Sequence, residues 1–151
     1  MDWSGYDFTS DWFSNHLPVW NAKRRACAAC YNDLLRADAE LITVPYEPSW
    51  SRAVYHLYVI QVEGRDAVQQ LLGAVGIGTG IHYPIPLHLQ NAYSSLGYKP
   101  RAFPVAEEAA KRILSLPMDP SLTREQQLQV VQALRTISAS VSELVVAGEI
   151  R

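Results

Sequence analysis

Lysine is scarce in this chain: its 151 residues include only Lys23, Lys99 and Lys111. Cysteine is scarcer still, and both copies fall in one motif, Cys27-Ala28-Ala29-Cys30. A redox-active pair needs its first thiol at a helix N-terminus, where the dipole lowers the pKa. A structural zinc site needs four ligands. This pair falls well inside an expected helix and has no second pair to join it, so it reads as two small apolar residues. No apolar run approaches the ~20 residues that span a bilayer. An excess of positive charge is also missing: 13 Lys and Arg stand against 15 Asp and Glu, for a net charge of -2. Neither a membrane nor a nucleic-acid partner is expected from that balance. The opening residues, MDWSGYDFTSDWF, have no basic n-region and no small-residue cleavage site. A cytoplasmic location is the expectation.

What is present suits a globular α+β domain. Hydrophobic residues make up 48% and charged residues 19%, and a chain of this length buries about 70% of its unfolded surface. Residues 1–14 carry Trp3, Tyr6, Phe8, Trp12 and Phe13 without a clean period and read as an aromatic N-terminal arm. A single domain is expected over 15–151. Its first helix, 15–35, places Leu17, Trp20, Cys27, Tyr31 and Leu34 on one face, with Pro18 in the first turn. A short strand at 41–44 and a stronger one at 54–62 follow, the latter β-branched and aromatic throughout. Asp66 is placed to cap a helix with apolar Ala67, Val68, Leu71, Leu72 and Val75, closed by Gly76. Beyond it come a strand at 80–83, a short helix at 87–96 ended by Gly97, a helix at 104–113 and a strand at 115–118. Thr123 and Gln126 form a capping box for the last helix. Its stripe runs Leu128, Val131, Leu134, Ile137, Val141 and Leu144, with its course beyond Arg135 left open by Ser138, Ser140 and Ser142. This order predicts helices packed over a small, mostly antiparallel sheet.

Two motifs invite a chemical reading. Gly76, Gly78 and Gly80 look like a phosphate loop, but such a loop follows a strand and opens a helix. Here the order is reversed, and a helix cap with a tight turn explains the glycines better. His82-Tyr83-Pro84 carries more information, because Pro84 holds Tyr83 extended and His88 follows after two prolines. Two imidazoles and a phenol at one corner suit a hydroxylated or phosphorylated ligand, or equally a set of structural hydrogen bonds.

The segment VYHLYVIQVEGRDAVQQLLGAVGIGTGIHYPIPLHLQNAYSSLGYKPRAFPVAEEAAKRILSLPM, residues 54–118, carries a stronger signal. Its YHLYV, GIGTGIHYP, PLHLQ-A-Y--LGY, FPVAE and LSLPM-P pieces occur in the order, and at roughly the spacings, of a known family. Over residues 15–136 the chain resembles the C-terminal small domain of the DegT/DnrJ/EryC1/StrS sugar aminotransferases, which depend on pyridoxal phosphate. The resemblance implies a fold-type-I small domain. It also implies that His82, Tyr83 and His88 border the substrate, a nucleotide-linked sugar, and position it. Trp20, Asn21, Arg24, Arg25 and Tyr31 match a WN--RR--A--Y pattern on the helix joining the two domains, and the match implies a structural role.

The resemblance also marks departures. No lysine stands in the serine- and glycine-rich setting of the family's Schiff base, and the aspartate that pairs the pyridinium nitrogen has no counterpart. The glycine–asparagine–arginine segment expected upstream of the first helix is not found in residues 1–14. The sequence thus reads as a small domain starting downstream of the cofactor-binding part. On this reading it has no catalytic residues, no cofactor or metal ligands of its own, and no activity alone. The alternatives are a stand-alone sugar-nucleotide-binding module, or a docking partner of a complete or split aminotransferase. A homodimer and an aminotransferase large domain are the expected protein partners.

Overall fold

The computed structural model describes residues 10–149. Helix α1 (Ser10–Leu35) leads through a single 3-10 turn into β1 (Ile42–Thr43). Then come β2 (Tyr58–Val62), α2 (Arg65–Ala74), two more 3-10 stretches, α3 (Pro104–Arg112), β3 (Ile113–Leu116) and α4 (Arg124–Val146). The three strands form one antiparallel sheet in the order β1-β2-β3. The expected α+β architecture is what the chain adopts.

Alternation along β2 fixes which face is buried. Tyr58, Ile60 and Val62 are fully buried while Val59 and Gln61 are half-covered, as a period of two requires. Register pairs Tyr58 with Leu116 and Ile60 with Leu114, so β3 adds its leucines to the same face. Tyr31 and Leu35 from α1, Val68 and Leu72 from α2, and Val131, Leu134 and Val141 from α4 complete the core. Tyr31 stacks on Tyr58 with ring centroids 4.9 Å apart, joining α1 to the sheet.

Several elements differ from their expected bounds, each for a physical reason. The aromatic arm falls partly outside the described residues, and residues 10–14 are already helical, so Pro18 sits inside α1. There it removes one backbone hydrogen bond. The buried face of α1 runs through Cys27, Ala28, Tyr31 and Leu35, leaving Leu17 48% exposed. Strand β2 starts at Tyr58, not residue 54, because Glu47 draws residues 53–55 toward its own loop. The Glu47 carboxylate accepts from the Ala53 amide at 2.6 Å and the Tyr55 hydroxyl at 2.8 Å, and Tyr55 has φ +51°.

Helix α2 begins beside Gly64 (φ +57°), with no side-chain cap. Asp66 lies in its first turn, 2.7 Å from Arg65 Nε. Leu71 and Val75 are exposed. The expected strand at 80–83 is a single bridge between Gly80 and Ser115, since Pro84 and Pro86 withhold ladder donors. The expected helix at 87–96 is two 3-10 pieces, Leu87–Leu89 and Asn91–Leu96, separated by extended Gln90. None of their residues is buried, and an α-helix without a packed face has little to hold it. Helix α3 ends at Arg112 and β3 starts at once, ending before Pro117.

The capping box of α4 is present with both bonds, Gln126 N–H to Thr123 Oγ1 and Thr123 N–H to Gln126 Oε1. The helix continues past its serines: Ser138 is buried beside the core, and the Ser140 hydroxyl donates to Thr136 O at 3.2 Å. Packing of Val141 outweighs their poor propensity. The middle of the expected stripe, Val131, Leu134 and Val141, is buried, with Ile137 packed against it, and only its two ends differ. Gln127 is buried and donates to Cys27 O at 2.8 Å, while Leu128 and Leu144 are exposed.

Candidate functional site

The bridge on β3 places the corner. Gly80 and Ser115 exchange both backbone hydrogen bonds, 3.1 Å and 2.7 Å, so the segment after the glycine turn runs along the free edge of β3. The His82 ring then folds back over that edge, its Nδ1 2.9 Å from Ser115 Oγ. Tyr83 meets His82 edge to face at 5.6 Å and is 69% exposed. These two side chains therefore share one outward edge.

His88 is held elsewhere. Its Nε2 lies 3.0 Å from Glu107 Oε1 on α3, and its ring packs edge to face on Phe103 (4.8 Å) and Tyr98 (6.4 Å). Glu107 also accepts from the Arg101 amide at 2.8 and 2.9 Å and from the Phe103 amide at 3.3 Å. The Arg101 amide first, then Phe103 and His88, hold the Glu107 carboxyl below its usual range. With its side chain only 8% exposed, His88 fastens the 86–103 loop to α3. The structure thus joins two of the three expected site residues and gives the third to a loop anchor.

The remaining motifs resolve as packing. Cys27 is buried, its Sγ 3.7 Å from the carbonyls of Asp119 and Leu122, and burial pushes its thiol pKa up. A thiol in that setting is a poor nucleophile. Gly76 (φ +81°) closes α2, as a cap glycine does. Arg25 donates to the Ala53 carbonyl and lies 3.5 Å from Glu47 Oε1, so it ties α1 to the loop before β2. Among the described residues no cluster of metal-ligating side chains occurs, and no helix is long and apolar enough to cross a membrane.

Residues 15–135 match the DegT/DnrJ/EryC1/StrS aminotransferase family. The chain belongs to this family. It is 43% identical over 120 residues to the erythromycin biosynthesis sensory transduction protein EryC1 of Saccharopolyspora erythraea, covering 80% of this chain and 32% of that protein. Over 128 residues it is 38% identical to the dTDP-3-amino-3,4,6-trideoxy-alpha-D-glucose transaminase of Streptomyces venezuelae, covering 85% of this chain and 34% of the relative. The crystal structure of S. venezuelae DesV in complex with a ketimine intermediate superposes with a TM-score of 0.77 at 39% identity, over 82% of this chain and 33% of that one. The chain spans about a third of the length of the family members it matches. Spr1654 of Streptococcus pneumoniae, 25% identical, has the same fold with TM-scores of 0.76 and 0.74 and has been solved in PMP and PLP forms.

The lysines of this chain do not fit that cofactor. Lys23 and Lys99 are exposed on a helix and in a turn, and Lys111 Nζ lies 3.2 Å from Glu108 on an exposed helix face. A Schiff-base lysine needs a site that withholds water and receives the cofactor phosphate. In the shallow cleft beside Lys111, the lysine and two arginines, Arg65 and Arg112, are matched by Glu63, Asp66 and Glu108, and Arg65, Arg112 and Lys111 are each engaged by one of those carboxylates.

Sequence reasoning missed Ser115, Glu107 and the Glu47 loop hub. Ser115 carried a usable signal, since it is the one polar residue in the Ile-Leu-Ser-Leu strand. Glu107 and Glu47 carried none, because each gathers backbone amides and side chains, His88 for one and Tyr55 and Arg25 for the other, that no local spacing pairs with it.

Proposed function

We propose that this chain serves as the small, substrate-bordering part of a pyridoxal-phosphate-dependent aminotransferase that acts on nucleotide-linked sugars. The observation that supports this most is the outward edge made by His82 and Tyr83, two hydrogen-bonding side chains on a sheet margin in a member of this family. Their role is to position the sugar. Proton transfer and the cofactor lysine belong to the larger remainder of the enzyme, so the chain is inactive alone. Ile85, Leu87, Leu96 and Val105 are exposed in the segments that follow that edge, and apolar side chains left in water are suited to a protein partner. The partner is the aminotransferase large domain, or a second copy of this chain when the large domain is absent.

A stand-alone sugar-nucleotide-binding module is the second reading, favoured by a core that the chain closes with its own helices and sheet. Titration of the isotope-labelled chain with a dTDP-linked deoxysugar tests the binding common to both. Only a few neutral hydrogen bonds of about 1 kcal/mol each are available, so the dissociation constant should be roughly millimolar to high micromolar. His82→Ala and Tyr83→Phe should each weaken binding without unfolding the protein. If no resonance near residues 80–90 moves, the substrate-bordering reading fails.

A further inference from the structure

We propose that Ser115 and Gly80 are positioning residues that mount the His82 imidazole, so that its Nε2–H faces outward beside Tyr83 as a fixed donor to an acceptor oxygen of the sugar nucleotide. The mount deepens the substrate-bordering reading of His82, and its ligand-binding consequence rests on that reading. Three contacts converge on one ring. The paired backbone bonds between Gly80 and Ser115 set the distance between the two segments. Ser115 Oγ then lies 2.9 Å from Nδ1. The third contact is a vacancy the sequence provides: a Cβ on Gly80 would lie 2.7 Å from His82 Cε1 and 3.4 Å from Nδ1. Any side chain at position 80 would push the imidazole out of this place.

The direction of the hydrogen bond follows from burial. Ser115 is 4% exposed, and among the described residues His82 Nδ1 is the acceptor within reach of its hydroxyl. A buried hydroxyl without an acceptor is costly, so Ser115 Oγ–H donates to Nδ1. The neutral ring then carries its proton on Nε2. Nε2 has no protein partner among the described residues, and His82 is exposed. A single outward N–H recognises an acceptor, such as a sugar hydroxyl or carbonyl oxygen or a phosphate oxygen.

The test reads the ring nitrogens of the full labelled chain by long-range proton–nitrogen correlation at about pH 8, where an ordinary imidazole is neutral. The expected wild-type spectrum shows His82 as one tautomer protonated at Nε2, with Nδ1 shifted by an accepted bond. Ser115→Ala should remove that shift and weaken binding of a dTDP-linked deoxysugar about three- to tenfold. Ser115→Thr, which keeps the hydroxyl, should restore both. Gly80→Ala should displace the ring in the wild type, yet leave binding unchanged when added to His82→Ala. Amide spectra for Leu114 and Leu116 report whether each variant is folded. If the His82 ring nitrogens ignore both Ser115→Ala and Gly80→Ala in folded protein, the mount is refuted. If they respond but the wild type binds no sugar nucleotide, the mount stands and the substrate-bordering reading falls.

Discussion

Replacing Tyr31 tests how α1 is fastened to the sheet. Its ring is fully buried and stacked on Tyr58, and its hydroxyl donates to Pro117 O at 3.0 Å. Tyr31→Phe keeps the ring and leaves the Pro117 carbonyl without that donor. Pro117 is only half-buried, so water can reach it, and the cost should sit at the low end, about 1 kcal/mol. Tyr31→Ala also opens a ring-sized cavity and should cost about 3–5 kcal/mol. For a chain of this size that corresponds to a melting temperature lower by about 3 °C for Phe and by about 10 °C or more for Ala. Urea unfolding followed by circular dichroism measures both. A second readout is the phenol itself. Burial raises the Tyr31 and Tyr58 pKa values above the ordinary phenol value, so the folded state resists ionisation that the unfolded state accepts at about pH 10. The stability this provides is complete below pH ~10 and is lost as pH rises toward the folded values. Tyr31→Phe should reduce that alkaline loss. An Ala variant within about 1 kcal/mol of wild type, or a Tyr31 phenol that ionises like a free one in folded protein, would refute the packing described.

Glu107 should govern part of the acid limb of stability. Its folded pKa lies below the unfolded value of about 4.3, so its contribution is present above that pH and disappears as pH falls through the folded pKa. Urea midpoints of wild type and Glu107→Gln should therefore differ at neutral pH and converge in acid; a constant gap would count against the loop anchor. Asp38→Asn breaks the two-pronged bond to Arg135, 2.7 and 2.8 Å, that ties the 3-10 turn after α1 to α4. With Arg135 half-exposed, screening limits the loss to about 0.5–1.5 kcal/mol, smaller in high salt. An unchanged midpoint at low ionic strength would contradict it. Light scattering should show a dimer that Leu87→Ser with Leu96→Ser converts to monomer, and a wild-type monomer at high concentration would remove the second-copy reading.

The long, patterned elements were legible in the sequence because each carries its own local signal. The capping box at Thr123 and Gln126, the β-branched and aromatic run of β2 and the closing Gly76 all appear where local rules put them. What escaped were features decided by tertiary contacts. Gln127 is buried where Leu128 was expected, because its amide satisfies the Cys27 carbonyl. Residues 80–83 look like a strand, yet Pro84 and the folding of the His82 ring back over Ser115 leave one bridge. His88 shares a motif with His82 but is drawn away by Glu107, nineteen positions along the chain. Histidines close in sequence were brought to different partners by loops whose path no short pattern encodes.

The central claim is that this chain carries a sugar-facing edge and no cofactor lysine. The most direct measurement is intact mass after incubation with pyridoxal phosphate and borohydride reduction, alongside the visible spectrum. The account predicts no stoichiometric adduct, only scattered low-level labelling of the exposed lysines. One cofactor per chain, abolished by a single Lys→Ala substitution at Lys23, Lys99 or Lys111, would contradict it.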